Sequence, residues 1–518
     1  MDRGATTYVR RTMTTDAAAA RDEQPGGLAF GEARARWVLL ATVLGSGLAF
    51  VDGTVVNVAL PTIGESLDAG VSGLQWTINA YTLTLASLIL LGGSLGDRFG
   101  RRRVFVIGVV WFAAASLLCG LAPNIESLIV ARAVQGVGGA LLTPGSLAIL
   151  QSSFRPQDRM RAIGAWSGLA GIAGAVGPFL GGYLVQSIGW RWIFLINLPL
   201  AAAVVVVATR HVPESRDPDA ARSLDLVGAA LGAVGLGALT FGLIASQEHG
   251  LDSPAVLAAL AVGVAALAGF VWREHSAREP MLPLGIFSSS AFTAANIVTF
   301  AVYAALSGIF LFLVLALQVV AGFSPIEAGA ALLPVTVLML LLSSRMGALS
   351  TRIGPRIPMT VGPLVSAVAA LWLSALDEGA TYVGDVLPRV GLFGLGLSIT
   401  VAPLTATVLA AAPDRHAGIA SGVNNAVARV AGLLAVAALP LVVGLDGAAY
   451  ADPDLLQPAY REAMLVCAGL LAAGGVLAFL LVRRVPAADE SPAAEAHAHP
   501  HPYSCQVCAP DVAPARHA

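Results

Sequence analysis

Fourteen apolar runs of about 20 residues constrain this chain more than any other feature. They lie at roughly 37–60, 75–95, 103–121, 127–151, 160–186, 191–209, 224–245, 254–272, 291–320, 326–349, 357–376, 384–411, 416–444 and 462–482. A bilayer hydrocarbon core about 30 Å thick takes about 20 helical residues to cross. Lipid leaves no partner for an unpaired backbone group, so only helices or closed barrels span it. The runs are continuous and do not alternate as barrel strands do. They predict an all-α polytopic membrane protein of 14 transmembrane helices. The 12% of charged residues falls at about half the usual share of a soluble protein. That excludes a disordered chain, a nucleic-acid binder and an ordinary cytosolic enzyme.

There is no Lys, so all 30 basic residues are Arg. A Walker-type phosphate-binding lysine and a Schiff-base lysine are thereby excluded. Assigning alternate connections to opposite sides puts 25 Arg on one side, three (Arg191, Arg389, Arg461) on the other and two, Arg132 and Arg429, within the spans. The positive-inside rule makes the Arg-rich side cytoplasmic, with both termini inside and the chain in a bacterial cytoplasmic membrane. Residues 1–36 lack the apolar core of a signal peptide and read as a disordered cytoplasmic tail. So does 485–518, which is rich in Ala, Pro and His. The tail's His497, His499, His501, Cys505 and Cys508 match no closed metal-site spacing, and no metal or other cofactor is expected. Cys119 and Cys467 lie in apolar runs and read as small buried hydrophobes.

A repeat organises the spans. Gly93, Leu95, Arg98, Gly100 and Arg102 recur as Gly347, Leu349, Arg352, Gly354 and Arg356, 254 residues on, and Asp158-Arg159 recurs as Asp414-Arg415. Six-helix repeats with a substrate path between them are a transporter architecture. The expected organisation is an N-terminal six-helix bundle (37–210), a linker with two extra spans (211–290) and a C-terminal six-helix bundle (291–484). The two extra spans contain no buried charge and are expected to pad the flank.

Few ionisable residues fall inside spans, where a charge costs at least about 2.5–3.5 kcal/mol and marks function by default. Asp52 lies ~23 Å along the first span and Arg132 ~8 Å into the fourth from the opposite side, at 1.5 Å per residue. Both fall in the outer half of the bilayer, placed to meet across a central cavity. Burial raises a carboxyl pKa and a nearby Arg lowers it, so Asp52 is a candidate proton or cation site. A static pair or a helix-packing hydrogen bond is the other reading. Arg132 either tunes that carboxylate or fixes its own helix. Arg429 lies ~20 Å into the thirteenth span with no acidic partner in view, leaving carbonyl capping or a place on the cavity wall.

These motifs, in this order, resemble the major facilitator superfamily and, within it, the fourteen-helix drug:proton antiporter family, over residues 37–484. Asp52-Gly-Thr54-Val-Val-Asn57-Val-Ala59-Leu60-Pro61 resembles that family's first-helix motif, and Gly93 to Arg103 the superfamily loop motif G-x-L-x-D-R-x-G-R-R. Arg132-Ala-Val-Gln135-Gly136-Val-Gly138 resembles the fourth-helix motif. Gly174-Ala-Val-Gly177-Pro178-Phe-Leu-Gly181-Gly182 resembles the fifth-helix antiporter motif, and Trp190 to Pro199 is also typical.

The resemblance implies a proton-coupled antiporter, not an enzyme, exporting small amphipathic drugs or antibiotics by alternating access. Its partners are that substrate, protons and the lipid bilayer, with no nucleic acid, and it is expected to be a monomer. Asp52 and Arg132 are the coupling pair, and Gly93, Asp97, Arg98, Gly100 and Arg101 the cytoplasmic gate. Asp97 and Arg101 latch against the start of the thirteenth helix near His416. Gly174, Gly177, Pro178, Gly181 and Gly182 form a close-packing surface that favours export. Asn57, Tyr81, Gln135, Tyr303 and Arg429 are substrate-path candidates. Trp76, Phe300, Phe310 and Phe312 are aromatic surface for a drug or for the bilayer. Thr351 stands where the first half has Asp97, so no second latch is expected. The second half lacks a buried acid, which weighs against quaternary-ammonium cargo. Export of a lipid or an endogenous metabolite by the same machinery is the alternative, with a non-transporting sensor or scaffold as the alternative of a different class.

Overall fold

A computed structural model of the chain describes residues 27–216, 224–277, 280–411, 417–445 and 452–482, with the side chains at 71, 156, 157, 160, 167, 168, 170–175, 248, 351 and 417–419 left aside. Among these residues there is no strand, only one isolated bridge between Leu28 and Phe154. The first six spans are α1 (Ala33–Leu67), α2 (Val71–Phe99), α3 (Arg101–Gly120), α4 (Ile125–Ser153), α5 (Pro156–Ser187) and α6, which breaks at Ile196 into Trp192–Leu195 and Asn197–His211. The next two are α7 (Leu226–His249) and α8 (Pro254–Ser276). The last six begin with α9 (Ser290–Val319) and α10, made of Pro325–Ala330 and Leu333–Ile353. Then come α11 (Arg356–Leu373), α12 (Leu387–Ala410, entered through a wide turn at Tyr382–Val386), α13 (Ala417–Val442) and α14 (Pro453–Leu481). Thirteen of these are long and apolar enough to cross a membrane among the described residues. The fourteenth, α5, is 32 residues long.

Local chemistry sets the ends. Asn124 and Ser127 form a capping box at the start of α4, and Ser324 and Glu327 one at the start of α10, each satisfying backbone N–H groups that the first turn leaves open. Proline opens α5, α8 and α14 at the first turn, where its missing N–H costs nothing. Gly100 (φ +116°) joins α2 to α3 and Gly354 (φ +83°) joins α10 to α11. The two are the repeated glycine of the loop motif, and both take a backbone shape that L side chains resist.

The helices pack as two six-helix bundles. In the first, α4 lies between α2 and α3, and α1 packs on α5 and α6; in the second, α9 packs on α13 and α14, and α11 on α12 and α14. The bundles meet along α2 with α13 and along α5 with α10, while α7 and α8 pair with each other and α7 lies on α2 and α13. At that outer seam Gln75 and Gln247 exchange amide hydrogen bonds at 3.0 and 3.1 Å, and Gln247 also donates to the Ala437 carbonyl.

Three features depart from the sequence reading. Residues 27–32 are paired rather than free: the Leu28 N–H donates to the Ser153 carbonyl and Arg155 N–H to the Leu28 carbonyl. The linker pair does contain a buried charge. α8 runs on past residue 272 to Ser276, and Glu274 in that added turn is 2% exposed, accepting a bond from the Leu282 N–H. Asp225, the N-cap of α7, is buried too and pairs with Arg273 at 3.2 Å. Both acids sit at helix ends, where the polarity of a linker masks them in a hydropathy reading. The start of α14 lies at Pro453, nine residues before the apolar run, because Gln457 and Tyr460 bond the Leu376 and Leu373 carbonyls at the end of α11.

Glycines on α5 bring three helices to backbone contact. A Cβ on Gly177 would overlap Thr54 of α1, and one on Gly181 would lie 2.5 Å from Val55. One on Gly182 would overlap the Pro325 carbonyl of α10, and one on Gly329 of α10 would overlap the Pro178 carbonyl. Contact between α5 and α10 concentrates in the short first piece of α10 rather than its longer second piece. Gln318, near the end of α9, donates to the Val58 carbonyl of α1 at the same end of the molecule. The bundles are therefore sealed at the end remote from the start of α1, while nearer that start Gly164 of α5 has nothing within 4 Å of a Cβ position. Gly182→Val is expected to lower the thermal midpoint of the purified protein, since overpacking costs about 1–3 kcal/mol. Gly164→Ala should leave it in place, and equal midpoints for the two variants would contradict the seam.

Candidate functional site

Asp52 and Arg132 meet directly. Arg132 Nη1 lies 2.5 Å from Asp52 Oδ2, and the two side chains are 1% and 0% exposed. They do not face each other across a cavity: the pair is enclosed within the first bundle. α1 brings Asp52 midway along its length, and α4 brings Arg132 and, one turn on, Gln135 on the same face.

Surrounding groups add hydrogen bonds to both members of the pair. Gln135 Nε2 donates to Asp52 Oδ1 at 2.8 Å and to Ser116 Oγ of α3 at 2.8 Å, while its Oε1 accepts from Arg132 Nη1 at 2.6 Å. Asn197, the first residue of the long piece of α6, donates weakly to Asp52 Oδ1 and to Ser116 Oγ at 3.4 and 3.3 Å. Arg132 Nε donates to the Thr77 carbonyl of α2 at 3.0 Å. The guanidinium carbon lies 4.4 Å from the Tyr81 ring centre and 5.6 Å from that of Phe194, a desolvated cation–π geometry. One carboxylate and one guanidinium are thus held, near-neutral as a pair, at the meeting of α1, α2, α3, α4 and α6.

Such a pair is sensitive to losing one member, because the other charge stays behind in low dielectric at a cost of about 3–5 kcal/mol. A proton on Asp52 does the same thing chemically: it cancels the carboxylate charge and leaves Arg132 with only carbonyl, amide and ring partners. The arrangement can therefore convert proton occupancy into a force between α1 and α4.

The other sequence candidates separate into groups. Tyr81 and Gln135 belong to the ion-pair cluster, Tyr81 at 2% exposure and Gln135 at 0%. Asn57 and Tyr303 line a cavity between the bundles, with Thr54, Pro178, Phe310, Thr336, Met339 and Leu397. Phe312 is fully buried away from it and Phe300 is exposed on the outside of the bundle. Arg429 of α13 is half-buried, 4.0 Å from a Cβ position on Gly53 and 5.8 Å from the Phe50 ring.

In the loop motif Asp97 accepts from Arg101 Nε at 2.8 Å across one turn. Gly93 faces Pro144 of α4, and Arg98 stacks on Phe99. His416, the expected far side of the latch, lies outside the described residues, as do Asp414, Arg415 and the His/Cys cluster of the tail. The surroundings of Gly174 and Thr351 also lie outside them. A neighbour absent from the sequence reading is Glu214: its carboxylate accepts from the Arg102 and Arg103 N–H groups at the start of α3, while Arg101 N–H donates to the Ser215 carbonyl. An acid at a helix N-terminus is favoured by the open donors and the dipole there. Ser116, Asn197, Thr77 and Phe194 were also missed. The position of Asn197 in the Trp190–Pro199 segment was the one signal that pointed to any of them.

Arg132→Gln and Asp52→Asn are each expected to destabilise the protein, by about 3–5 kcal/mol for loss of a buried charge partner. The double variant should cost much less than the sum. Additive losses, measured as unfolding midpoints in one lipid or detergent, would rule out a direct pair.

The family model described as Major Facilitator Superfamily matches residues 42–436. The chain is 36% identical over 426 residues to the tetracenomycin C resistance and export protein of Streptomyces glaucescens, covering 81% of this chain and 79% of that one. It is 36% identical over 454 residues to the methylenomycin A resistance protein of Bacillus subtilis, covering 88% and 96%. It is also 36% identical over 472 residues to the puromycin resistance protein of Streptomyces alboniger, covering 88% and 93%. Among solved structures it is similar to a POT family transporter in complex with a thioalcohol-conjugated peptide, with a TM-score of 0.64 over 86% of this chain and 95% of that one, at 12% identity. The fold, the motifs and the match over residues 42–436 agree: the chain belongs to the major facilitator superfamily.

Proposed function

We propose that this chain is a proton-coupled antiporter that exports small amphipathic drugs or antibiotics from the bacterial cytoplasm by alternating access. The reading rests on one observation above all, the Asp52–Arg132 pair, a titratable carboxylate enclosed beside the path between two bundles. The names of the relatives, which are resistance and export proteins, supply the direction and the class of cargo. In this reading residues 37–210 and 291–484 are the two moving bundles and 211–290 is the linker. Both termini are cytoplasmic, and the α5–α10 seal faces outward.

The cycle follows from the geometry. With Asp52 ionised, Arg132 and Gln135 hold α1 against α4, and the cavity opens toward the cytoplasm to load cargo. Opening the outer seal releases cargo outside and gives Asp52 access to an external proton. Protonation ends the ion pair and frees α1 to shift relative to α4, which favours return. Release of the proton inward restores the pair. Asp97 and Arg101 close the cytoplasmic side against α13, and Gly177, Gly181 and Gly182 permit the close outer packing that this return requires.

Efflux from vesicles under an imposed pH gradient, run with a chemically varied panel, tests the reading. Asp52→Asn should abolish gradient-driven export when flux is measured per folded protein in the vesicles, and Arg132→Ala should shift its pH profile. Asp97→Asn should slow export of every substrate in the panel to a similar degree. Full coupled transport by Asp52→Asn would overturn the assignment.

A further inference from the structure

Arg429 is a second buried-depth cation that the coupling pair does not use. It stands midway along α13, where a guanidinium is held only against a cost of desolvation. Among the described residues no carboxylate, hydroxyl or carbonyl lies within ion-pair or hydrogen-bond distance of it, and its recorded contact is the Phe50 ring at 5.8 Å. Its side chain is only partly buried, and Nη1 comes within 4.0 Å of a Cβ position on Gly53. This position adjoins the cavity. Phe50, Gly53, Thr54 and Asn57 follow one another along one face of α1; Thr54 and Asn57 line the cavity, and Arg429 lies against Phe50 and Gly53. Tyr303 lines the same cavity from α9. α13 is fixed nearby by a 2.8 Å bond from Thr299 of α9 to Asn424, so the guanidinium projects from an anchored helix.

The cavity wall itself carries no charged residue among those described. It is largely aliphatic and aromatic, with Phe310, Met339, Leu397 and Val401, and Arg429 lies beside the α1 face that Thr54 and Asn57 extend into it. A guanidinium in a water-poor site is matched by an ionised acid, which takes two parallel N–H donors at once. We propose that Arg429 is an anion subsite of the substrate cavity, and that the cargo is an apolar, ring-bearing molecule with one ionised acidic group, a carboxylate or an acidic phenol. The acid lies on Arg429 with the Tyr303 hydroxyl beside it, and the apolar body fills the cavity between α1, α9, α10 and α12. The proposal deepens the export reading and rests on it for the word cargo, but its binding chemistry stands apart from proton coupling.

Equilibrium binding to the full-length protein in lipid nanodiscs separates the two. The probes are anthraquinone-2-carboxylate and the corresponding neutral amide. The wild type should bind the carboxylate at least about tenfold more tightly than the amide, the worth of one charge-assisted hydrogen bond. Arg429→Gln should bring the two probes to equal affinity by weakening the acid alone, and Arg429→Lys should retain part of the preference. Equal affinities in the wild type, binding of neither probe, or a preference that survives Arg429→Gln would each overturn the subsite. Should Arg429→Gln fail to fold, loss of the preference in wild type on adding excess benzoate, with amide binding unchanged, supplies the same decision; a preference that excess benzoate leaves intact overturns it. A protein that binds the acid selectively yet moves none of it under a pH gradient contradicts the antiport reading and leaves the subsite standing.

Discussion

A carboxylate and a guanidinium without water are tolerated only together, and the first bundle is arranged around that fact. Asp52 and Arg132 cancel each other's charge at 2.5 Å, and the remaining lone pair and donors are taken up by Gln135, Asn197 and the Thr77 carbonyl. Every helix of the bundle except α5 contributes an atom to this cluster, so α1, α2, α3, α4 and α6 are held in register by polar bonds as well as by packing. α5 stands outside it and meets α1 through close glycine contacts and a 3.1 Å bond from Trp166 Nε1 to Ser46 Oγ. α5 is the helix of this bundle that also packs closely on α10 of the other.

The two cations of the membrane interior differ in kind. Arg132 is held by a carboxylate, an amide, a carbonyl and two rings. Arg429 has a single ring. One is a component of the protein's own charge balance; the other has no acid paired with it among the described residues. That contrast is invisible in composition, where both are an Arg in an apolar run.

Much of the architecture was legible in sequence because lipid punishes exceptions. Span number, the repeated Gly100 and Gly354 junctions and the pairing of Asp52 with Arg132 all follow from charge and glycine placed against an apolar background. Gln135 follows Arg132 by three residues and so shares its face, which put it within reading distance. What resisted was whatever depended on helix rotation or on small polar groups. Tyr81 turns inward onto Arg132, whereas Tyr303 and Asn57 turn to the cavity, and nothing in their neighbours distinguishes them. Ser116 and Asn197 are ordinary residues for a membrane helix until another helix places an acid beside them. Glu274 and Glu214 were hidden in linkers, where charge is expected and carries no signal.

The seal between α5 and α10 is made chiefly of main-chain atoms: the Pro325 carbonyl against Gly182 and the Pro178 carbonyl against Gly329. A gate built from long side chains leaks by degrees, as each rotamer change opens a fraction of the path. Main-chain atoms of two helices have no rotamers, so this barrier yields only when one whole helix moves against the other. Passage is thereby made an all-or-none event, and thermal motion of individual side chains cannot open it.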